Sequence, residues 1–233
     1  ISKTYNVNFI DLATRVMLGT PVHQALIQPI DMEHVAAKVP VFSFGRLKNS
    51  DPRLGVEMQS TGEVACFGVN QYDAFLKGMI AAGFRLPKKN IVLCIGSAER
   101  KTEFIPAAQL LVDMGFSLHA TENTRKTLIT QGNIQAVQLI HKPQKRREPN
   151  ILTYLQSGKI DLVINVPDSM DSGAQTDGFE MRRAAVDSGT PLITDIKTAI
   201  LMTMSLHRKW TREMSGKSFW SYMSWQEYVN ADR

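Results

Sequence analysis

The sequence predicts an α/β protein whose larger domain is a doubly wound, five-stranded parallel sheet, preceded by a smaller α+β segment. From about residue 91, short apolar strands alternate with apolar patterns of helical spacing. Several of these helical patterns end at a glycine, as helices commonly do. Strict alternation of strand and helix requires parallel strands joined by right-handed crossovers, with helices on both faces of the sheet.

The first part of the chain has a different pattern. Apolar residues at helical spacing predict an amphipathic helix over residues 9–17. Short apolar stretches at residues 39–42 and 57–67 predict extended segments joined by turns. A second helix is predicted over residues 72–80, with Asn70 as its N-cap. These elements predict a small α+β unit.

The larger domain is predicted from five strands and the helices between them. The strands fall at residues 91–95, 116–120, 134–140, 160–166 and 191–194. The helices fall at residues 104–112, 124–130, 151–155 and 179–186. A polar stretch with a proline at residues 87–90 is the natural linker, so we place the boundary near residue 84 and predict units 1–83 and 84–233.

Composition limits the function classes. Among the 233 residues, 43% are hydrophobic and 21% are charged, which is typical of a globular protein with a core. The apolar runs are much shorter than the roughly 20 residues of a membrane span. The net charge of +5 is modest, and much of it lies at 142–147 and 207–217. A nucleic-acid binder would more often show such charges interleaved with exposed aromatics, so we expect no nucleic-acid partner and no membrane. An anion-attracting rim stays open as an interpretation of these clusters.

Two further features concern redox chemistry and the chain start. Cys66 and Cys94 lie in separate apolar segments and match no metal or redox spacing, so we expect buried, reduced thiols and no metal site. The chain starts with Ile1 and shows no signal-peptide pattern. We therefore expect it to be a piece of a longer protein.

Ligands of doubly wound sheets bind beyond the carboxyl ends of the strands, which selects residues 96–98, 121–124, 141–142 and 165–172. Thr121 and Thr124 stand where a helix start could bind phosphate or carboxylate, and Lys142 could neutralise it as a point charge. The alternatives are a helix cap for Thr124 and a surface position for Lys142.

Other candidates flank the same edge of the sheet. Ser97, Arg100 and Lys101 follow the first strand and could close the pocket, although helix capping and solvent exposure would also explain them. Asn165 ends the fourth strand and could donate and accept hydrogen bonds with a base or sugar. Asp168 could be a general base, or a residue that shapes its own turn.

The helix after the fourth strand carries Arg182 and Arg183. Adjacent helical residues point about 100° apart, so we expect one arginine to face the pocket and the other to lie in solvent or in a weak surface ion pair. The sequence contains no Walker loop, dinucleotide fingerprint, zinc set or serine triad. Residue chemistry alone therefore predicts a doubly wound domain with an anion pocket.

Several motifs resemble the C-terminal end of the carbamoyl-phosphate synthase large subunit. Residues 11–19 read DLATRVMLG, and residues 51–64 read DPRLGVEMQSTGEV, which is a highly specific signature. The similarity continues through AFLKG at 74–78, VIN at 163–165 and RRAAVDSG at 182–189. It covers nearly the whole chain and is weakest at 143–150 and after 205.

The resemblance implies that residues 1–83 complete the second ATP-grasp half and that 84–233 form a methylglyoxal-synthase-like regulatory domain. The ATP and metal ligands of that half would precede Ile1. We thus expect no catalytic residue and no cofactor in this chain, although the parent ligase would use ATP and Mg or Mn. The resemblance places an effector phosphate at Thr121, Thr124 and Lys142, with help from residues 94–101, including Cys94, and from Asn165.

The chain departs from the family pattern at two positions, and the end of the third strand bears on which effector binds. Asn123 stands where many relatives have glycine, and Cys94 where a serine is common. Relatives that sense N-acetylglutamate carry a tryptophan near the end of the third strand, whereas this chain has His141, Lys142 and Pro143. We therefore expect a pyrimidine-pathway enzyme that senses UMP, UTP or phosphoribosyl pyrophosphate. Residues 165–168 partly resemble the acetylglutamate type.

Alternatives and partners follow from the same comparison. The parent enzyme would make carbamoyl phosphate from bicarbonate, ATP and ammonia released by a glutaminase domain or subunit. We expect a cytoplasmic location, or a mitochondrial one for an ammonia-dependent urea-cycle enzyme. A methylglyoxal-synthase-like lyase with Asp168 as base is a second hypothesis, and a basic nucleic-acid module using residues 142–147 is a third.

Overall fold

The computed structural model describes residues 1–22, 32, 34–145, 147–168 and 177–231. Strands in these ranges are β1 (Val35–Val41), β2 (Gly62–Gly68), β3 (Asn90–Ile95), β4 (Ser117–Ala120), β5 (Val137–Leu139), β6 (Leu162–Val166) and β7 (Leu192–Ile193). Helices are α1 (Ser2–Tyr5), α2 (Phe9–Met17), α3 (Gln71–Ala81), α4 (Ala98–Asp113), α5 (Glu122–Thr130), α6 (Ile151–Gln156), α7 (Asp177–Asp187), α8 (Ile196–Met214) and α9 (Trp225–Ala231). A short 3-10 helix spans Pro143–Lys145.

The larger unit is a five-stranded sheet in the order β5-β4-β3-β6-β7, and all its neighbouring strands are parallel. The predicted fold class is confirmed. The chain runs outward from β3 through β4 to β5, then returns to β6 on the other side of β3. This reversal makes the junction of β3 and β6 the switch point of the sheet, where doubly wound folds bind their ligands.

The core lies on both faces of this sheet, which explains why its strands are apolar throughout. Alternate residues of β3 point to opposite faces. Ile91, Leu93 and Ile95 belong to a cluster that contains residues of α4 and α8, whereas Val92 packs with residues of α6 and α7. The sheet is therefore a rigid floor for the loops that follow its strands.

The N-terminal unit is an antiparallel pair of strands covered by a helix. β1 and β2 pair from Val35 opposite Gly68 to Val41 opposite Gly62, and α3 packs on both. Asn70 caps α3, because its side chain accepts hydrogen bonds from the N–H groups of Tyr72 and Asp73. The predicted helix over 9–17 is present as α2, and none of its residues is buried.

The last part of the chain returns to the N-terminal unit. Lys77 of α3 is mostly buried and pairs with Asp73 at 2.8 Å. Its amino group also donates to the Tyr228 hydroxyl at 3.0 Å and to the Ser221 carbonyl. The Trp225 indole N–H donates to the Lys3 carbonyl at 2.7 Å. The boundary at residue 84 stays a prediction, and these contacts cross it.

Three details of the sequence analysis need correction. The third strand of the large sheet covers only Val137–Leu139, because Ile134 packs into the core from a turn. The extended stretch 57–67 forms a strand only from Gly62 onward. The long helix α8 was not predicted, although Asp195 caps it by accepting from Thr198 N–H at 2.8 Å. In the described ranges, no helix is long and apolar enough to cross a membrane.

Candidate anion-binding site

A cleft of about 410 Å³ opens at the carboxyl ends of the parallel strands. Seven of the nine predicted site residues line it. They are Cys94, Lys101, Thr121, Thr124, Lys142, Asn165 and Asp168. Glu122 and His141, which also line the cleft, fall in loops that the sequence selected, and Lys145 falls in the basic cluster 142–147, but none of the three was given a role. Asp177 was not selected, and Arg182 was placed there only as one of two choices.

The floor of the cleft is the close approach of β3 and β6. The Gly96 N–H donates to the Val166 carbonyl at 2.8 Å and extends the pairing of the two strands. A Cβ atom at Gly96 would lie 2.5 Å from the Asp168 nitrogen and 2.9 Å from its Cα. Because both contacts are to backbone atoms, only glycine fits this position without moving a strand end.

The start of α5 forms one wall. Thr121 is the N-cap residue and is buried, but its side chain makes no capping hydrogen bond. Thr124 is buried too, and its hydroxyl accepts from Ile95 N–H at 3.1 Å and donates to the Ile95 carbonyl at 3.3 Å. Thr124 therefore fixes α5 against β3. The N–H groups of the first turn of α5 have no acceptor within the helix, which favours an anion here.

Cys94 is the second-last residue of β3, lines the cleft and is only partly exposed. Burial raises the pKa of its thiol above the ordinary value. The Thr121 hydroxyl and the positive charges of Lys142 and Arg182 oppose this pKa rise. The thiol is therefore predominantly neutral at pH 7, and it is a small, weakly polar surface for a ligand.

Two lysines that line the cleft, Lys142 and Lys145, already face carboxylates. The Lys142 amino group lies 3.7 Å from Asp177, which also accepts from Gln144 N–H at 3.2 Å. Lys145 pairs with Glu122 at 2.5 Å, and its hydrogen bond and charge hold the pKa of that carboxyl below its ordinary value. An incoming anion therefore exchanges these ion pairs for its own.

Ser97 and Arg100 do not line the cleft, contrary to the sequence prediction. Ser97 caps α4, because its hydroxyl accepts from Arg100 N–H at 3.3 Å. The Arg100 guanidinium donates to the Pro167 carbonyl at 2.7 Å, so Arg100 stabilises the segment that follows β6. Lys101 does reach the cleft, where its amino group donates to the Gly96 carbonyl at 2.5 Å.

The two arginines of α7, Arg182 and Arg183, lie in different environments. Arg182 lines the cleft and donates to the Asn165 side-chain oxygen at 2.9 Å, so the prediction that one arginine faces the pocket is correct. Arg183 was expected in solvent or in a weak surface ion pair. It does pair with the exposed Asp187, but it does not lie in solvent. Its side chain is 10% exposed. It donates to the carbonyls of Phe44, Leu47 and Ser50 as well as to Asp187.

Asp168 lines the cleft two residues after the end of β6 and is partly exposed. Residues 169–172 of the same predicted loop lie outside the described ranges. Among the residues that the structure describes, no three His, Cys, Asp or Glu side chains are grouped as a metal site. The chemistry visible in the cleft is hydrogen bonding and charge.

Known proteins resemble this chain over most of its length. A family model described as "MGS-like domain" matches residues 103–194, from α4 to just after β7. "Multifunctional protein URA2" of Saccharomyces cerevisiae is 40% identical over 222 residues, 92% of this chain and 10% of that protein. "Carbamoyl-phosphate synthase [ammonia], mitochondrial" of Homo sapiens is 38% identical over 230 residues, 95% of this chain and 15% of that protein.

The chain belongs to the carbamoyl-phosphate synthase family. "Multifunctional protein CAD" of Squalus acanthias is 42% identical over 222 residues, 88% of this chain and 10% of that protein. This carbamoyl-phosphate synthase region thus spans about a tenth to a seventh of these relatives. A crystal structure of methylglyoxal synthase from Elizabethkingia anophelis NUHP1 matches with TM-score 0.40 and 20% identity, over 50% of this chain and 77% of that one.

Proposed function

We propose that this chain is a non-catalytic regulatory region of a carbamoyl-phosphate synthase and that its cleft binds a uridine nucleotide or phosphoribosyl pyrophosphate through phosphate. One observation carries the proposal. Thr121, the first turn of α5 and Lys142 face one cleft at the switch point of the sheet. Backbone N–H groups, a hydroxyl and an ammonium group are suitable donors for a phosphate.

The volume and shape of the cleft suit a small phosphorylated ligand. A volume of about 410 Å³ falls in the range of small-molecule sites. The phosphate would lie between α5 and Lys142, and the rest of the ligand would extend toward Asn165 and Asp168. Asn165 Oδ1 accepts from Arg182, and its Nδ2 donates to the Met181 sulfur at 3.9 Å, so the second N–H of that amide group is the donor that is left for the ligand.

The proposal extends to the parent protein. We propose an ATP-dependent ligase that forms carbamoyl phosphate from bicarbonate, ATP and glutamine-derived ammonia, with ATP and Mg or Mn bound outside this chain. The multifunctional relatives support a pyrimidine-pathway enzyme, for which we propose a glutaminase partner and a cytoplasmic location. The ammonia-type relatives support the second candidate, a mitochondrial enzyme that senses N-acetylglutamate.

The first test is isothermal titration of the chain with UMP, UTP, phosphoribosyl pyrophosphate and N-acetylglutamate. Binding of a phosphorylated ligand supports the main proposal, and binding of N-acetylglutamate alone supports the second candidate. Binding of none of the four contradicts both. Methylglyoxal release from dihydroxyacetone phosphate would instead support a lyase with Asp168 as base.

Lys142→Ala should weaken binding of the phosphorylated ligand at least about 10-fold, because it removes a charge-assisted contact. The fold should not change, since the Lys142 side chain is 44% exposed. Titration calorimetry and thermal unfolding measure the two effects. Lys38→Ala is the control, because Lys38 forms an exposed ion pair in the N-terminal unit. Equal affinities of wild type and Lys142→Ala would contradict the assignment of Lys142 to the phosphate.

Asp177→Asn should have the opposite effect and tighten binding of the phosphorylated ligand about 3- to 10-fold. The substitution removes the negative charge that competes with phosphate for Lys142. The matched control is Asp113→Asn, which removes a carboxylate of α4 that accepts only from Gln109 among the contacts seen here. The same titration measures both variants. Weaker binding by Asp177→Asn would mean that Asp177 contacts the ligand favourably.

A further inference from the structure

Helix α7 contacts both the cleft and the N-terminal unit. Its first turn supplies Asp177 to the cleft wall, and Arg182 lines the cleft one and a half turns later. From the same stretch, both arginines reach residues 44–51, which we name the clamp loop. This loop lies between β1 and β2, the two strands of the N-terminal unit.

Arg182 is shared between the two sides. Its side chain is 3% exposed, and one guanidinium nitrogen donates to Asn165 at the floor of the cleft. The other two nitrogens donate to the two carboxylate oxygens of Asp51, at 2.7 and 2.6 Å. Three side chains thus form a continuous path from the cleft to the clamp loop: Asn165, Arg182 and Asp51.

Arg183 strengthens the same junction by a different chemistry. It donates to the carbonyls of Phe44, Leu47 and Ser50 at 3.1 to 3.2 Å. These contacts hold the backbone of the clamp loop on α7 but do not reach the cleft. Of the two arginines, only Arg182 contacts both a residue of the cleft, Asn165, and a residue of the clamp loop, Asp51. A ligand in the cleft can therefore change the interaction of Arg182 with the clamp loop.

We infer that the bidentate Arg182–Asp51 pair couples occupancy of the cleft to the clamp loop. An anion in the cleft competes with Asp51 for the positive charge of Arg182. Binding therefore weakens the hold of α7 on the clamp loop, and by linkage a released clamp loop raises the affinity for the anion. This inference rests on the proposed function, because it requires an anionic ligand.

The first test is the affinity of the chain for UMP after Asp51→Asn. Removal of the carboxylate leaves the charge of Arg182 uncompensated, so binding should tighten about 5-fold. Asp51→Glu, which keeps the charge, should stay within about 2-fold of wild type. Asp11→Asn is the matched control, because Asp11 also forms an ion pair with an arginine in the N-terminal unit. Its affinity should equal that of wild type.

The second test needs no variant. Hydrogen exchange of the wild-type chain is measured with and without UMP, and exchange within residues 42–54 should become faster when UMP is bound. Unchanged or slower exchange there, with UMP bound, overturns the coupling but leaves the proposed function in place. Failure of the wild-type chain to bind any of UMP, UTP, phosphoribosyl pyrophosphate and N-acetylglutamate overturns the proposed function and the coupling together.

Discussion

Gly96→Ala should abolish measurable binding of phosphorylated ligands and lower the free energy of unfolding by about 1–3 kcal/mol. The new methyl group would lie 2.5 Å from the Asp168 nitrogen, so β3 and β6 must move apart at their carboxyl ends. A shift of about 1 Å there displaces the residues that face the ligand, which is enough to lose a well-oriented site. Titration calorimetry and urea unfolding measure the two effects.

Gly62→Ala provides the control for this substitution. A Cβ at Gly62 would meet no atom within 4 Å, so ligand binding and stability should remain close to those of wild type. If Gly96→Ala bound ligand as tightly as Gly62→Ala, the ligand would not depend on the junction of β3 and β6. The site would then have to be sought elsewhere in the molecule.

Arg183→Met should lower the free energy of unfolding by about 2–3 kcal/mol, because three backbone carbonyls lose their donor. Methionine retains most of the apolar stem of arginine, so the loss reports the guanidinium group rather than packing. Chemical denaturation measures the overall stability. Hydrogen exchange in residues 42–54 should rise in the same variant, because those carbonyls belong to the clamp loop.

Asp187→Asn separates the ion pair from the carbonyl contacts. The Asp187 side chain is 59% exposed, and exposed ion pairs contribute about 0–1 kcal/mol. This variant should therefore be nearly as stable as wild type. A loss as large as that of Arg183→Met would mean that the ion pair, and not the carbonyl contacts, holds Arg183 in place.

The alternation of strands and helices was sufficient to predict the sheet and the edge that carries the cleft. Apolar strands such as β3 and β6 are buried on both faces, so their sequence signal is strong. Because ligand position follows from the topology, Thr121 and Lys142 could be selected before any contact was known. The specific motif at residues 51–64 added the family.

The polar contacts across the molecule could not be predicted in the same way. Asp51 and Arg182 are separated by 131 positions, and no local pattern indicates that they meet. The ion pair between Asp177 and Lys142 could not be predicted for the same reason. Ser97 and Arg100 were assigned to the pocket, but a residue that follows a strand can instead cap the next helix and point away from the cleft, as Ser97 does. Helix α8 was not predicted, because its C-terminal half was interpreted as a basic cluster and not by the helical spacing of its apolar residues.

The return of the final segment to Lys77 has a consequence for any attempt to divide the protein. The two units are not linked by the peptide chain alone, because Tyr228 and Ser221 of the final segment accept hydrogen bonds from Lys77 of α3. A fragment that starts at residue 84 would contain this final segment but would lack Lys77, with which the segment forms hydrogen bonds. The larger unit and the N-terminal unit are thus joined in three ways: by the peptide chain, by the contacts of α7 with the clamp loop, and by the hydrogen bonds of the final segment with Lys77.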